Sequence, residues 1–171
     1  MPDGPYTLLS CCVSLDGYLD DAGPTRLVLS PAADLDRVDA ERAGCDAILV
    51  GAETVRRDDP RLLVRGDGCR AARLSRGLPA TPMRVTVTRS GDLDPGARIF
   101  TEPGAGTLVY AASSAAGRLT EQLGHTATVV DAGPDGDLSW VLGDLYARGV
   151  RRLMVEGGRR RRRSRCGRAV P

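Results

Sequence analysis

Asp46-Ala47-Ile48-Leu49-Val50-Gly51-Ala52-Glu53-Thr54-Val55-Arg56-Arg57-Asp58-Asp59-Pro60 is the stretch on which the fold turns. It opens with a short run of apolar residues, the mark of a strand buried on both faces. Gly51 ends the run, Ala52 to Arg57 can form a short helix, and Asp58-Asp59-Pro60 stops that helix. A buried strand passing at once into a helix is the building unit of an α/β sheet.

The same alternation extends in both directions from this block. Upstream, Tyr6 to Val13 is an apolar run of strand length, read as the first and central strand, and Ser14-Leu15-Asp16-Gly17 breaks it. Ser30 before Pro31 predicts a helix start, the hydroxyl capping free amides and the proline taking the first helical position. That helix should run to about Ala43 and stop at Gly44. Downstream, an arginine-rich segment around Arg70 to Arg76 can be helical. Arg84 to Thr88, Thr107 to Ala111 and Thr128 to Val130 read as strands, with a helix over Ser113 to Leu123. Asp137 opens the clearest helix, because Leu138, Val141, Leu142, Leu145 and Tyr146 recur at the spacing of one helical face and Gly149 follows. Leu153-Met154-Val155 is the last strand, ending at Glu156-Gly157-Gly158. The expected class is α/β, with helices on both faces of the sheet and no internal repeat.

At 171 residues and 42% hydrophobic, the chain can bury one core of ordinary size, so a single globular domain is expected. Its formal charge of +2 conceals an uneven distribution. Arg159 to Pro171 hold seven arginines and no acid; removing those seven from +2 leaves −5 on residues 1–158. A mildly acidic body argues for a small-molecule protein and against a nucleic-acid-binding fold. All 24 basic residues are arginine, which excludes lysine Schiff bases, a lysine general base and a P-loop lysine. The five cysteines form no C-x-x-C pair and lie beside no histidine, so neither a zinc site nor a disulfide framework is expected, and no metal. His125 is the sole histidine and sits in a loop, where a solvent-facing role is expected. No apolar run approaches membrane-spanning length and no signal segment opens the chain, which makes a cytoplasmic location the expectation.

Ligands of open α/β sheets bind outside the C-terminal strand ends, so the residues after each strand are the first candidates. The richest group is Gly51 to Arg65. Gly51 allows close backbone approach of a cofactor, amides of the short helix can meet phosphate, and Thr54 adds a hydroxyl donor. A strand-to-helix turn with solvated charges fits the same residues. Leu35, Val38 and Arg42 share one helix face, so Arg42 needs an anionic partner or an exit to solvent. A bound substrate phosphate is one reading, snorkelling past the helix end the other. Glu156-Gly157-Gly158 resembles a phosphate-proximal turn, although G-x-G-x-x-G and the P-loop are both absent.

These residues, in this order, resemble the reductase domain of the bacterial riboflavin-biosynthesis deaminase-reductase family, a group with a dihydrofolate-reductase-like fold. The resemblance covers roughly residues 5–158, through Ser14 to Gly17, Ser30-Pro31, Arg42, the Gly51 to Arg65 block, Pro82 to Ser90 and Val155 to Gly158. Thr54 to Arg65, as T-V-x-x-D-D-P-x-L-x-V-R, is its most specific part. The resemblance implies a three-layer sandwich around a mostly parallel sheet, and a family homodimer. It implies NADPH held by Thr54, Asp58, Ser90, Gly157 and Gly158, with Arg42, Leu62, Arg65 and Glu156 facing the substrate. The implied reaction reduces 5-amino-6-(5-phosphoribosylamino)uracil, hydride passing to ribose C1′ of a ring-opened imine to give the ribityl product. Asp58 is the candidate catalytic carboxylate, relaying a proton or stabilising charge on the imine.

Two departures follow. The deaminase signature H-x-E with P-C-x-x-C is missing, so only a reductase without its zinc deaminase half is implied. Members of the family also continue past Glu-Gly-Gly with a helix and further strands, whereas here Arg159 to Arg168 follow, so the C-terminal strands are expected to be lacking. The domain expected is residues 1–158, with 159–171 an arginine-rich disordered tail. A reading-frame error in a G+C-rich gene and a polyanion-binding tail are the two accounts of it.

Overall fold

The computed structural model describes residues 4–15 and 30–157. The expectations for Asp16, Gly17, Gly158 and the tail 159–171 lie outside the described residues. Within them the chain runs β1 (Tyr6–Ser10), α1 (Ala32–Ala43), β2 (Ala47–Gly51), α2 (Ala52–Asp58), α3 (Asp67–Ser75), β3 (Met83–Thr88), α4 (Arg98–Thr101), β4 (Thr107–Ala111), α5 (Ser113–Leu123), β5 (Thr128–Asp131), α6 (Leu138–Ala147) and β6 (Arg152–Glu156). The strands form one sheet in the order β1-β6-β2-β3-β4-β5, and every described pairing is parallel.

Because side chains alternate across a strand, each strand contributes to two cores. Ile48 and Val50 of β2, Val109 and Ala111 of β4 and Met154 of β6 pack with α2, α4 and α5 through Val55, Ile99, Phe100, Leu119 and Leu123. Ala47, Leu49, Val85, Leu108, Tyr110 and Leu153 face the other way, onto Val141 and Leu145 of α6. The result is the three-layer arrangement. Parallel strands covered on both faces must be apolar throughout, which is why β2 and β4 read as unbroken runs.

Two expectations need correction. Among the described strands β1 is not central, pairing with β6 alone at an edge of the described sheet. Its run is apolar, but Tyr6 is 62% and Leu9 74% exposed, as an interior strand would not allow. Ser30 does not cap α1 either, since Pro31 takes the N-cap position without a side-chain bond. The Ser30 hydroxyl instead bonds the Asp34 carboxylate, which helps hold that group below the usual carboxylate range. The four-residue helix α4 carried no periodicity from which to read it. The first strand ends at Ser10 and α3 begins at Asp67, each three residues from the expected bound; elsewhere strand and helix ends agree to within one or two residues, and Asp137 caps α6 by accepting from the Ser139 amide at 2.9 Å.

Candidate active site

A parallel sheet points all its strand C-termini to one rim, and that rim collects the residues after β2, β3 and β6. Gly51 ends β2, and a Cβ placed on it would meet no described atom within 4 Å, so the described residues leave the space over this backbone open. Thr54 lies in the first turn of α2. Gly157, just past the neighbouring strand β6, has φ 77°, and a Cβ there would stand 2.5 Å from Thr54 Oγ1. Only glycine brings this backbone so close to the hydroxyl.

Glu156, the last residue of β6, is gripped by α1. Arg42 donates from Nε to Glu156 Oε1 at 2.7 Å and from Nη2 to Oε2 at 2.6 Å, and from Nη1 to the Leu63 carbonyl at 3.1 Å. The anion that Arg42 requires therefore comes from the chain itself, and all three guanidinium nitrogens are engaged. Burial works to lower the Arg42 pKa, but the hydrogen bond and charge of Glu156, with the charge of Asp39, outweigh it and leave it raised.

Between α2 and α3 the chain folds back on itself. Asp59 caps α2 in a left-handed conformation at φ 40°, and Leu62 follows at φ 51°, a costly conformation for a branched residue. Asp59 holds its turn by accepting from the amide and Nε of Arg98, both at 2.7 Å. The Leu62 side chain consequently points inward, 3% exposed, into the core shared with α2 and α5. Its side chain is thus a core group, and its backbone shapes the loop. Arg65, three residues on, is exposed, and its guanidinium has no ion pair among the described residues.

Asp58 is exposed at the end of α2. Ser90 is exposed after β3; its hydroxyl accepts from the Asp92 amide at 3.3 Å and its carbonyl from Arg118 Nη2 at 2.9 Å. Arg56 of α2 donates from Nη1 to the Asp92 carbonyl at 2.8 Å and so ties α2 to this loop. Thr54 and Gly157 are thus in contact and Arg42 and Glu156 are joined, Ser90 follows the end of β3, Asp58 is exposed at the far end of α2 and Arg65 is exposed in the loop before α3. The sequence reading missed Asp39 and the Asp59–Arg98 tie. Asp39 stands three residues before Arg42 on α1, a spacing that would have placed the two on one face.

The arrangement has known counterparts. The pattern of the RibD C-terminal domain family matches residues 5–161. The chain belongs to that family. A protein of Archaeoglobus fulgidus named 2,5-diamino-6-ribosylamino-4(3H)-pyrimidinone 5′-phosphate reductase is 39% identical over 155 residues, 90% of this chain and 70% of the relative. The reductase of the same name from Methanothermobacter thermautotrophicus is 36% identical, over 90% of this chain and 68% of its own length. Against the riboflavin biosynthesis protein RibD of Chlamydia pneumoniae the identity is 30%, and the chain spans 40% of that protein. Among solved structures, a deaminase/5-amino-6-(5-phosphoribosylamino)uracil reductase from Thermotoga maritima superposes with TM-score 0.66 at 26% identity, over 91% of this chain and 39% of that one. A pyrimidine reductase-like protein from Corynebacterium diphtheriae gives TM-score 0.75 at 23% identity, over 90% and 66%, and shares the fold. Among the described residues no helix is long and apolar enough to cross a membrane, and no group of three or more His, Cys, Asp or Glu could hold a metal ion.

Proposed function

We propose that this chain reduces a phosphoribosylamino-pyrimidine of riboflavin biosynthesis, converting its ribosyl group to ribityl with NADPH. The observation that carries the reading is a pair of junctions at the strand ends: within the family-matched stretch, Arg42 grips Glu156 at the end of β6, and Gly157 meets Thr54 at the start of α2. A nicotinamide cofactor suits the residues present, because the space over the Gly51 backbone at the strand end is open and lies beside the Thr54 hydroxyl in the first turn of α2. Thr54, Ser90, Asp58, Gly157 and Gly158 are the residues we assign to holding it, and when bound it supplies a hydride for ribose C1′.

The protein's own groups divide the remaining work. Arg65, exposed and unpaired with any described acid, is the cation we assign to the substrate 5′-phosphate, for which its planar donor fork is suited. Arg42 serves indirectly, fixing the carboxylate of Glu156 at the strand end so that it can accept hydrogen bonds from the substrate. Opening the ribose ring requires one proton on the ring oxygen. Asp58 is the carboxyl group we assign to that proton, or to stabilising positive charge on the resulting imine.

The test is cofactor oxidation by the purified chain, followed by absorbance, with the diaminopyrimidinone and aminouracil substrates supplied separately. The higher identity to the archaeal reductases makes the diaminopyrimidinone the better expected substrate. Turnover with NADPH exceeding that with NADH, and a fall of about 100-fold in kcat for Asp58→Asn, are expected from loss of one proton carrier. Binding of NADPH without turnover of either pyrimidine would overturn the reading.

A further inference from the structure

Asp39 takes no part in the chemistry above, yet it is a buried acid, 8% exposed, whose two oxygens are both used. Oδ1 accepts from the Arg65 amide and Oδ2 from the Gly66 amide, each at 2.7 Å. One turn further along α1, Arg42 donates to the Leu63 carbonyl while gripping Glu156. The same helix therefore holds residues 63–66 by an acceptor pair and by a donor, and in each case it engages backbone. No side chain of that segment is consumed by these contacts. Arg65 is left with a fixed Cα and an exposed guanidinium that has no ion pair among the described residues.

We infer that Asp39 is a positioning residue for substrate recognition: it fixes the backbone from which Arg65 reaches the substrate's phosphate, without touching the phosphate. The inference rests on the assignment of Arg65 made above. The carboxylate is suited to the task because two adjacent amides converge on it, and an acceptor-only group can satisfy both. Asparagine offers one oxygen and one NH2, so one amide would face a donor. Gly66 is part of the device, since a Cβ there would lie 3.2 Å from Asp39 Oδ2 and force the carboxylate to shift. It adopts φ −65°, so alanine is acceptable to its backbone and the carboxylate alone is disturbed.

The experiment uses the full chain and calorimetric titration with ribose 5-phosphate, ribose and NADPH. Asp39→Asn should weaken ribose 5-phosphate about tenfold, the equivalent of roughly 1.4 kcal/mol for one charge-assisted hydrogen bond, and leave NADPH and ribose unchanged. In turnover, KM for the phosphorylated pyrimidine should rise with kcat nearly constant. Gly66→Ala should act in the same direction and more weakly, and it decides the matter if Asp39→Asn does not fold. Ribose 5-phosphate binding unaltered in a folded variant overturns the inference, as does an equal loss of NADPH, which would mark a merely structural role for Asp39. If Arg65→Ala binds ribose 5-phosphate like the parent, the Arg65 assignment falls and the inference with it.

Discussion

Arg42 shows how far one residue's chemistry can be read before its partner is known. A guanidinium on the inner face of a helix demands an anion, and the anion is Glu156, 114 residues away in the chain. Both side chains are largely buried, at 14% and 15% exposure, so removing one strands the other's charge. Arg42→Ala should cost about 3 kcal/mol in urea unfolding, with Arg42→Lys intermediate because it cannot bind both oxygens. A loss below 1 kcal/mol would mean that water already screens the pair. Tyr110 is a second case. Its hydroxyl donates to Asp144 Oδ2 at 2.6 Å from within the α6-side core, and burial first, then the Asp144 hydrogen bond and charge, push its pKa well up. A phenol raised above its unfolded value of 10.0 contributes stability that is complete below that pH and drains as pH climbs through the folded value. The parent should therefore lose stability above about pH 10 more steeply than Tyr110→Phe, which should itself cost about 1–2 kcal/mol near neutrality. Parallel alkaline profiles for the two proteins would remove Tyr110 as the cause.

Elements meet at this rim through their ends. The end of β6 presses on the first turn of α2 at Gly157 and Thr54, and the sequence pattern that marked both said nothing of their contact. Gly157→Ala adds a Cβ at positive φ against the Thr54 hydroxyl, which should destabilise the fold by about 2 kcal/mol. In a double-mutant cycle Thr54→Ala should recover part of that loss, whereas additive effects would show that the two elements do not press on each other. The α6 cap is simpler, being local: Asp137→Ala should lower unfolding stability by about 1 kcal/mol. Elements with local signals were legible for this reason. The caps, the helical spacing in α6 and the apolar runs of β2 and β4 lie within a few residues of what they specify. The left-handed turn at Asp59 and Leu62 was not legible, because the Arg98 contacts that sustain it come from 39 residues further on.

At the scale of the whole molecule, the sheet order puts β2 between β6 and β3 and leaves β1 with one neighbour among the described strands. Parallel strands protect their amides only where both edges are paired. Native-state hydrogen exchange should be slowest in β2 and β3 and faster in β1, the strand whose apolar sequence most suggested a central place. Equal protection of β1 and β2 would mean that a further chain segment or a second molecule covers the outer edge of β1.

Local patterning was sufficient for the class of the fold and the identity of nearly every element, since strand length, helical spacing and capping chemistry act over short separations. The motif from Thr54 to Arg65, with Glu156-Gly157, was likewise visible as residues in order. Place was another matter. The edge position of β1, the pairing of Arg42 with Glu156, the burial of Leu62 and the grip of Asp39 on the Arg65 backbone all depend on which segments become neighbours. Those neighbours are set by packing two apolar faces of one sheet, a cooperative property of the folded chain that no short window of sequence contains.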